Sequence, residues 1–417
     1  MKERLYWAEP GATEFTATVE SILPVSAVSG AEDRPRLGVV LDRTLFYPEG
    51  GGQPCDTGVL RNEKSGDELP VVAVREEQGA ILHVVECPVG IEAGSAGGLV
   101  PGARVQGRIN WARRFDHMQQ HTGQHVLSQA FLQVLQASTV GFHLSAEYVS
   151  IDLDVPEVIP EAAKQVEELA NQVVFQDLPV NAREYLPDEL PPQVRQRLPK
   201  AVERVRVVHI GDFDACACGG THVLRTGQIG LIKLNEVTRA HNGTRVIFRC
   251  GGRALQDYGQ KESALLAVAR ALGCPVEEAA AGVTALLARA ERAEKEREEA
   301  HRALLDVEAR LLAQEDSAGP LVKAQPGKTV EELRYLARAA AALSGRPVVL
   351  FVREPRFSAV VAQGKDTAFD ARAVGAEIAQ AFGGRGGGSP TLAQVGSKEP
   401  LVGEDSQVEE RLRRLLG

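Results

Sequence analysis

No stretch of this 417-residue chain is apolar for long enough to span a membrane; the most apolar region, 336–352, is interrupted by Arg338, Arg346 and Pro347. The first residues, Met-Lys-Glu-Arg-Leu-Tyr-Trp-Ala-Glu-Pro, place charge and a proline where a signal peptide needs an unbroken apolar core. Cysteine is sparse. The six cysteines at 55, 87, 216, 218, 250 and 274 have none of the density of a secreted disulfide scaffold, so reduced thiols in a soluble, cytoplasmic protein are expected. Net positive charge is also absent: 47 Lys and Arg against 56 Asp and Glu leave a formal charge of −9. That excludes indiscriminate coating of nucleic acid, which rests on clustered cations neutralising phosphates. Local basic faces stay open at Arg104, Arg108, Arg113 and Arg114, and at Arg239, Arg245, Arg249 and Arg253, although scattered arginines are ordinarily solvated surface. At this length a single core is exceeded, so two to three domains are expected.

What is present is a split set of metal ligands. His121-Thr-Gly-Gln-His125 and Cys218-Gly-Gly-Thr-His222 together offer three imidazoles and a thiolate, the donor set of a tetrahedral zinc site. His121 and His125 are four apart, so on a helix they project from one face, one turn apart. Gly219 and Gly220 let the chain turn tightly enough for Cys218 and His222 to converge. Cys216 stands two residues earlier and can compete for the position, with Cys218 favoured. A histidine pair alone is usually incidental; the Cys-His half is what turns the pattern toward metal.

Those fragments sit in a changing pattern of secondary structure. Residues 1 to about 105 carry short β-rich runs at Phe15–Val19, Gly38–Leu41, Val71–Val74 and Ile81–Val85, for which a small β-barrel is the natural closure. From Trp111 to about Ala137, Phe115, Met118, Val126, Leu127, Ala130, Phe131 and Val134 recur at helical spacing, so the first ligand pair rides on a helix. Strand-like runs at Tyr148–Leu153 and Val205–His209 surround a helix from Pro160 to Asp177, a layered unit ending near Gly252. Residues 253 to about 314 read as a solvated helical connector, nearly all charge across Glu291–Glu299, without sustained heptads. After Ser317-Ala-Gly-Pro320 a small α/β unit is expected, with helices at Val330–Leu343 and Ala371–Phe382 and strands at Arg346–Arg353 and Phe357–Val361.

Two glycine-rich segments stand out. In Thr44-Leu-Phe-Tyr-Pro-Glu-Gly-Gly-Gly-Gln-Pro-Cys-Asp-Thr-Gly58, the bare backbone at Gly51 and Gly52 admits a ligand and Gln53 can donate and accept hydrogen bonds; a plain hairpin turn is the alternative. In Phe382-Gly-Gly-Arg-Gly-Gly-Gly-Ser-Pro390, a loop presenting backbone N–H groups at Gly386 and the Arg385 guanidinium to a phosphate is favoured over a linker.

Taken together, Phe46-Tyr47 to Gly58, the paired histidines, and Cys218-Gly-Gly-Thr-His222 followed by Thr226-Gly-Gln-Ile-Gly230 resemble the editing domain of alanyl-tRNA synthetases, and more closely the free-standing alanyl-tRNA editing proteins of the AlaX family. Gly384 to Gln394 resembles the glycine-rich part of the DHH-associated domain that ends those synthetases, so the likeness spans nearly the whole chain. The resemblance implies an α+β multidomain protein: a β-barrel at 1–105, a two-layer zinc-containing editing domain at 106–252, a helical connector at 253–316 and a DHH-associated domain at 317–417. With nothing before the barrel, an editor acting in trans is expected.

The implied substrate is tRNA(Ala) mischarged with serine, and also with glycine, the ester being cleaved by water. A pocket sized for alanine cannot strongly reject a side chain that adds a hydroxyl or loses a methyl, so a second site must select the error. Thr44 matches a threonine that senses the serine hydroxyl in the free-standing family, and Gln53 is a candidate for orienting water or the substrate carbonyl. With His121, His125, Cys218 and His222 all bound, zinc would be a closed, structural ion; with three it would keep an open position, and both readings stand. A homodimer through the connector or the C-terminal domain stays open. Against a zinc peptidase, position 122 is Thr where that pattern has Glu. The editing domain of threonyl-tRNA synthetases lacks the glycine-rich barrel segment, and a non-catalytic tRNA-binding protein is the remaining alternative.

Overall fold

The computed structural model describes residues 3–25, 35–87, 99–146, 148–195, 204–241, 243–316, 319–365, 369–398 and 400–416. It divides into two compact units, Met1–Leu266 and Ala267–Gly417.

The first unit opens with a closed antiparallel barrel, in the order Glu14–Pro24, Arg36–Leu41, Ala80–Glu86, Glu68–Glu77, Gly58–Asn62 and Arg104–Ile109. Alternation along Glu14–Pro24 sends Phe15, Ala17 and Val19 inward, where they meet Leu60, Val71, Val74 and Val105. The last strand runs to Ile109, past the expected edge at 105, because it pairs with Glu14–Pro24 on one side and Gly58–Asn62 on the other. The first glycine-rich segment leaves the barrel between Arg43–Thr44 and Gly58–Asn62.

Asn110 accepts from Arg113 N at 3.1 Å and caps the helix Trp111–Leu135. Its middle is enclosed on every side: Gln120 to Leu127 are all buried. It shares a core with the helix Pro160–Phe175 and with an antiparallel sheet ordered Ile232–Ala240, Gly243–Cys250, Val149–Leu153, Thr139–Leu144, built on Phe131, Ile151, Val166, Val246 and Phe248. A separate meander, Val180–Tyr185, Val205–Ile210 and Asp214–Ala217, runs directly into Cys218.

The second unit is a sheet ordered Leu321–Ala324, Val348–Val352, Ser358–Ala362, Leu392–Gly396, Arg385–Ser389, with a core on each face. Leu350 and Val360 face Val330–Ser344 and the C-terminal end of Ala279–Ala313; Val349 and Phe351 face Ala371–Ala381 and Asp405–Leu415. Burial on both faces explains why Val348–Val352 is an unbroken apolar run. One correction follows. The segment around Arg385 and Gly386, expected as a loop, is an edge strand; glycine's poor strand propensity hides it, but pairing to Leu392–Gly396 and packing on Ala371–Ala381 hold it extended. The break expected at Ser317-Ala-Gly-Pro320 falls partly outside the described residues. Among the described residues no single helix is long and apolar enough to cross a membrane.

Candidate metal centre

His121 and His125, from the buried middle of Trp111–Leu135, meet Cys218 and His222 from the loop after Asp214–Ala217, with one donor atom from each within 4.8 Å of the others. Cys218 Sγ lies 3.3 Å from Nε2 of both His121 and His222. Cys216 is outside this cluster and lines a cavity beside His125. A tetrahedral ion with Zn–S of about 2.3 Å and Zn–N of about 2.0–2.1 Å holds its donors about 3.3–3.6 Å apart, so the donor types and the two Cys218–histidine spacings fit such an ion.

The Cys-Gly-Gly-Thr-His loop presses against the helix. A Cβ on Gly220 would stand 2.2 Å from His121 Cε1, so only glycine admits this approach, whereas Gly219 faces open space. The loop is held from outside by Arg206, which donates to the carbonyls of Cys218 (2.7 Å) and Gly220 (3.1 Å), and by Trp7, whose Nε1 donates to Gly219 O at 2.9 Å.

Each imidazole has its Nδ1 engaged by a different residue. His121 Nδ1 lies 2.8 Å from Gln53 Oε1, His222 Nδ1 lies 3.2 Å from Thr122 Oγ1, and His125 Nδ1 lies 3.5 Å from Asp214 Oδ2. A proton held on Nδ1 leaves Nε2 as the lone-pair donor and fixes the ring's rotation, which is how outer partners prepare metal-binding histidines. Burial alone would raise the Cys218 thiol, but the His121 and His222 rings hold it well below its ordinary value, favouring thiolate. Burial pushes His222 down to about 3, so it stays neutral. Burial also disfavours a charge on His125, yet Asp214 and the neighbouring sulfurs hold it well above its usual value, a proton that a metal ion bound at Nε2 would displace.

The other expected residues are placed as follows. Gln53 is 1 % exposed and bonded through both ends of its amide: Oε1 also accepts from Thr221 N (3.1 Å) and Nε2 donates to Thr221 Oγ1 (2.8 Å). These bonds hold His121 and Thr221 in place. Gly51 and Gly52 both have positive φ, and a Cβ on Gly52 would stand 2.9 Å from Phe142, whose ring packs 5.1 Å from that of His121. Thr44 is buried with its Oγ1 2.8 Å from His83 Nε2 and accepting from Phe46 N at 3.0 Å. Because His83 Nδ1 donates to Val39 O (2.9 Å), its Nε2 is the acceptor and Thr44 spends its proton on it. Arg385 and Gly386 belong to the second unit, where they line a cleft of about 730 Å³ with Arg356 and Lys398.

Most of the arginines offered as basic faces are committed to the fold. Arg114 is completely buried against Asp56, Arg245 grips Asp152, Arg253 grips Asp116, and Arg104 and Arg249 pair with Glu63 and Asp257. Arg113 donates to Cys55 O, while Arg108 and Arg239 are exposed. The Arg114–Asp56 pair was not legible as such: Asp56 also accepts from Tyr47 N at 2.8 Å, and so ties the glycine-rich segment to the helix that carries the histidines. Thr122 and Asp214 were likewise missed, the only sequence signal being their nearness to ligands.

Family models match residues 205–247 (threonyl and alanyl tRNA synthetase second additional domain) and residues 11–113 (tRNA synthetases class II (A)). The alanyl-tRNA editing protein AlaX-L of Pyrococcus horikoshii is 35 % identical over 265 residues, 62 % of this chain and 61 % of its own. The alanyl-tRNA editing protein Aarsd1 of Mus musculus is 35 % identical over 276 residues, 64 % of this chain and 63 % of its own. The alanine–tRNA ligase of Pyrococcus abyssi is 31 % identical across 99 % of this chain, which spans 43 % of that enzyme. The C-Ala domain of Aquifex aeolicus alanyl-tRNA synthetase matches 25 % of this chain at 24 % identity with a TM-score of 0.22, too slight a likeness to speak to the fold. The chain spans about three fifths of the editing relatives and two fifths of the ligase. By sequence it is a homologue of the alanyl-tRNA editing proteins and of part of the alanine–tRNA ligases.

Proposed function

We propose that this chain is a zinc-dependent hydrolase that deacylates mischarged tRNA(Ala), chiefly seryl-tRNA(Ala) and also glycyl-tRNA(Ala). The observation that carries this reading is the donor set of His121, His125, Cys218 and His222, three of them oriented through Nδ1 by separate partners. Zinc held there by all four donors would anchor the site, and with one position open it would supply positive charge to polarise an ester carbonyl. The chain's own residues hold the rest in place: Gln53 and Thr122 fix two imidazoles, Arg206 and Trp7 brace the Cys218 loop, and Gly51 and Gly52 leave bare backbone in the neighbouring segment. Thr44 can offer a serine hydroxyl only an acceptor, its proton being held by His83.

In the second unit, the guanidinium of Arg385 with Arg356 and Lys398 supplies three cations around the glycine-rich edge strand, a surface suited to tRNA phosphates. The test is deacylation of seryl-tRNA(Ala) against alanyl-tRNA(Ala) by zinc-loaded protein and by Cys218→Ala. Rapid loss of serine, spared alanine and an inactive variant are expected; no hydrolysis by zinc-loaded protein would sink the reading.

A further inference from the structure

The chain carries two thiols two residues apart, Cys216 and Cys218, and as metal donors they are chemically alike. Strand geometry does not choose between them. Residues i and i+2 of an extended chain face the same side, about 6–7 Å apart. Asp214, which meets His125, and Cys216 line one cavity from the strand Asp214–Ala217, and Cys218 continues that alternation one step beyond its end. Cys216 is partly exposed and loosely held: the cavity, of about 540 Å³, has His125 in its wall, and the Cys216 thiol donates to Ala217 O only across 3.8 Å.

What separates the two thiols is the hold on their backbone. Arg206 O accepts from Cys218 N at 3.1 Å, and Arg206 Nη1 donates to Cys218 O at 2.7 Å and to Gly220 O at 3.1 Å. Trp7 Nε1 takes the carbonyl between them, Gly219 O, at 2.9 Å. The Arg206 guanidinium lies 5.2 Å from the centre of the Trp7 ring, so each holder braces the other. Three successive carbonyls are thus tied to two side chains. Gly219 cannot supply that hold itself, since it has no side chain and faces open space; a turn built on two glycines keeps its shape only while something outside fixes it.

We infer that Arg206 is the positioning residue that commits Cys218 to the metal, and that Cys216 is a reserve thiolate which replaces it when this clamp is loosened. The inference rests on the zinc reading above and concerns which sulfur serves the ion. A thiolate is a better zinc donor than water or a hydroxyl, so a second one on the same side of the strand is a standing competitor that the clamp excludes.

The test uses the full chain loaded with Co2+, whose sulfur-to-metal charge-transfer absorption reports thiolate ligation, beside zinc affinity from chelator competition. Cys216→Ser should leave both unchanged within about twofold. Cys218→Ser should abolish the band, and adding Arg206→Met to Cys218→Ser should restore it. Arg206→Met with Cys216→Ser should bind zinc about tenfold more weakly than Arg206→Met alone, the lower end of the effect of an outer partner. Trp7→Phe removes the bond to Gly219 O, keeps an aromatic ring, and should act in the same direction; it takes the place of Arg206→Met if that chain does not fold. A band that survives Cys218→Ser with Arg206 intact overturns the role of Arg206. A folded Arg206→Met, Cys218→Ser chain without the band, or equal zinc affinity of Arg206→Met with and without Cys216, overturns the role of Cys216. A wild type without the band sinks the zinc reading itself, whereas these spectra without any deacylation sink only the hydrolase reading.

Discussion

Gln53 Oε1 lies 2.8 Å from Nδ1 of His121, joining two residues 68 apart in the chain across the junction between the barrel and the histidine-bearing helix. The amide is buried and spends its nitrogen on Thr221, so it belongs to the scaffold of the metal centre. Gln53→Leu should therefore weaken zinc binding by about 10- to 100-fold, the usual effect of removing an outer partner of a ligating histidine. Competition with a chromophoric chelator measures this directly, and unchanged affinity would remove Gln53 from the centre.

The buried pair Arg114–Asp56 should behave asymmetrically. Arg114→Met alone strands a carboxylate that also holds Tyr47 N, and should cost about 3–5 kcal/mol. The double variant Arg114→Met, Asp56→Leu should recover much of that loss while lowering zinc affinity, because the tie between the glycine-rich segment and the helix is gone. Urea unfolding of the two variants separates the outcomes.

Adjacent glycines should differ sharply. A methyl on Gly220 would strike His121, so Gly220→Ala should abolish stoichiometric zinc binding, while Gly219→Ala, with nothing within 4 Å, should bind zinc like the wild type. Metal analysis after dialysis distinguishes them, and equal zinc content in both would contradict the placement of the loop.

His117 links stability to pH. Burial, with Arg113 nearby, pushes its imidazole down to about 4 from an ordinary value of 6.5. Between those values the unfolded chain binds a proton that the folded chain refuses. Stability should therefore fall as pH drops through 6.5 and stop falling on this account below about 4, a total of roughly 3 kcal/mol. His117→Gln should flatten that part of the profile, read as the difference in urea midpoints between variant and wild type.

Arg385→Ala should weaken tRNA binding and reduce the slope of log affinity against log salt by about 1, the signature of a lost phosphate contact. An unchanged slope would make the glycine-rich strand a packing device for Ala371–Ala381 alone.

Periodicity and residue chemistry determine much of this protein before any fold is known. The helix Trp111–Leu135 announces itself because apolar side chains three and four apart must share a face, and that same spacing aligns His121 with His125. The barrel strands are legible because alternation has a period of two, and Val348–Val352 because a strand covered on both faces has no polar side to show. A thiolate and three imidazoles are readable as metal donors from their chemistry alone. Tertiary structure decided what those donors lean on. Gln53 rather than water meets His121, Asp214 meets His125, Asp56 disappears under Arg114, and Arg385 stands on an edge strand where glycine content points to a loop. Each of these depends on contacts between residues far apart in the chain, or on strand pairing strong enough to override local propensity, and no local pattern of residue types encodes which distant partner will arrive.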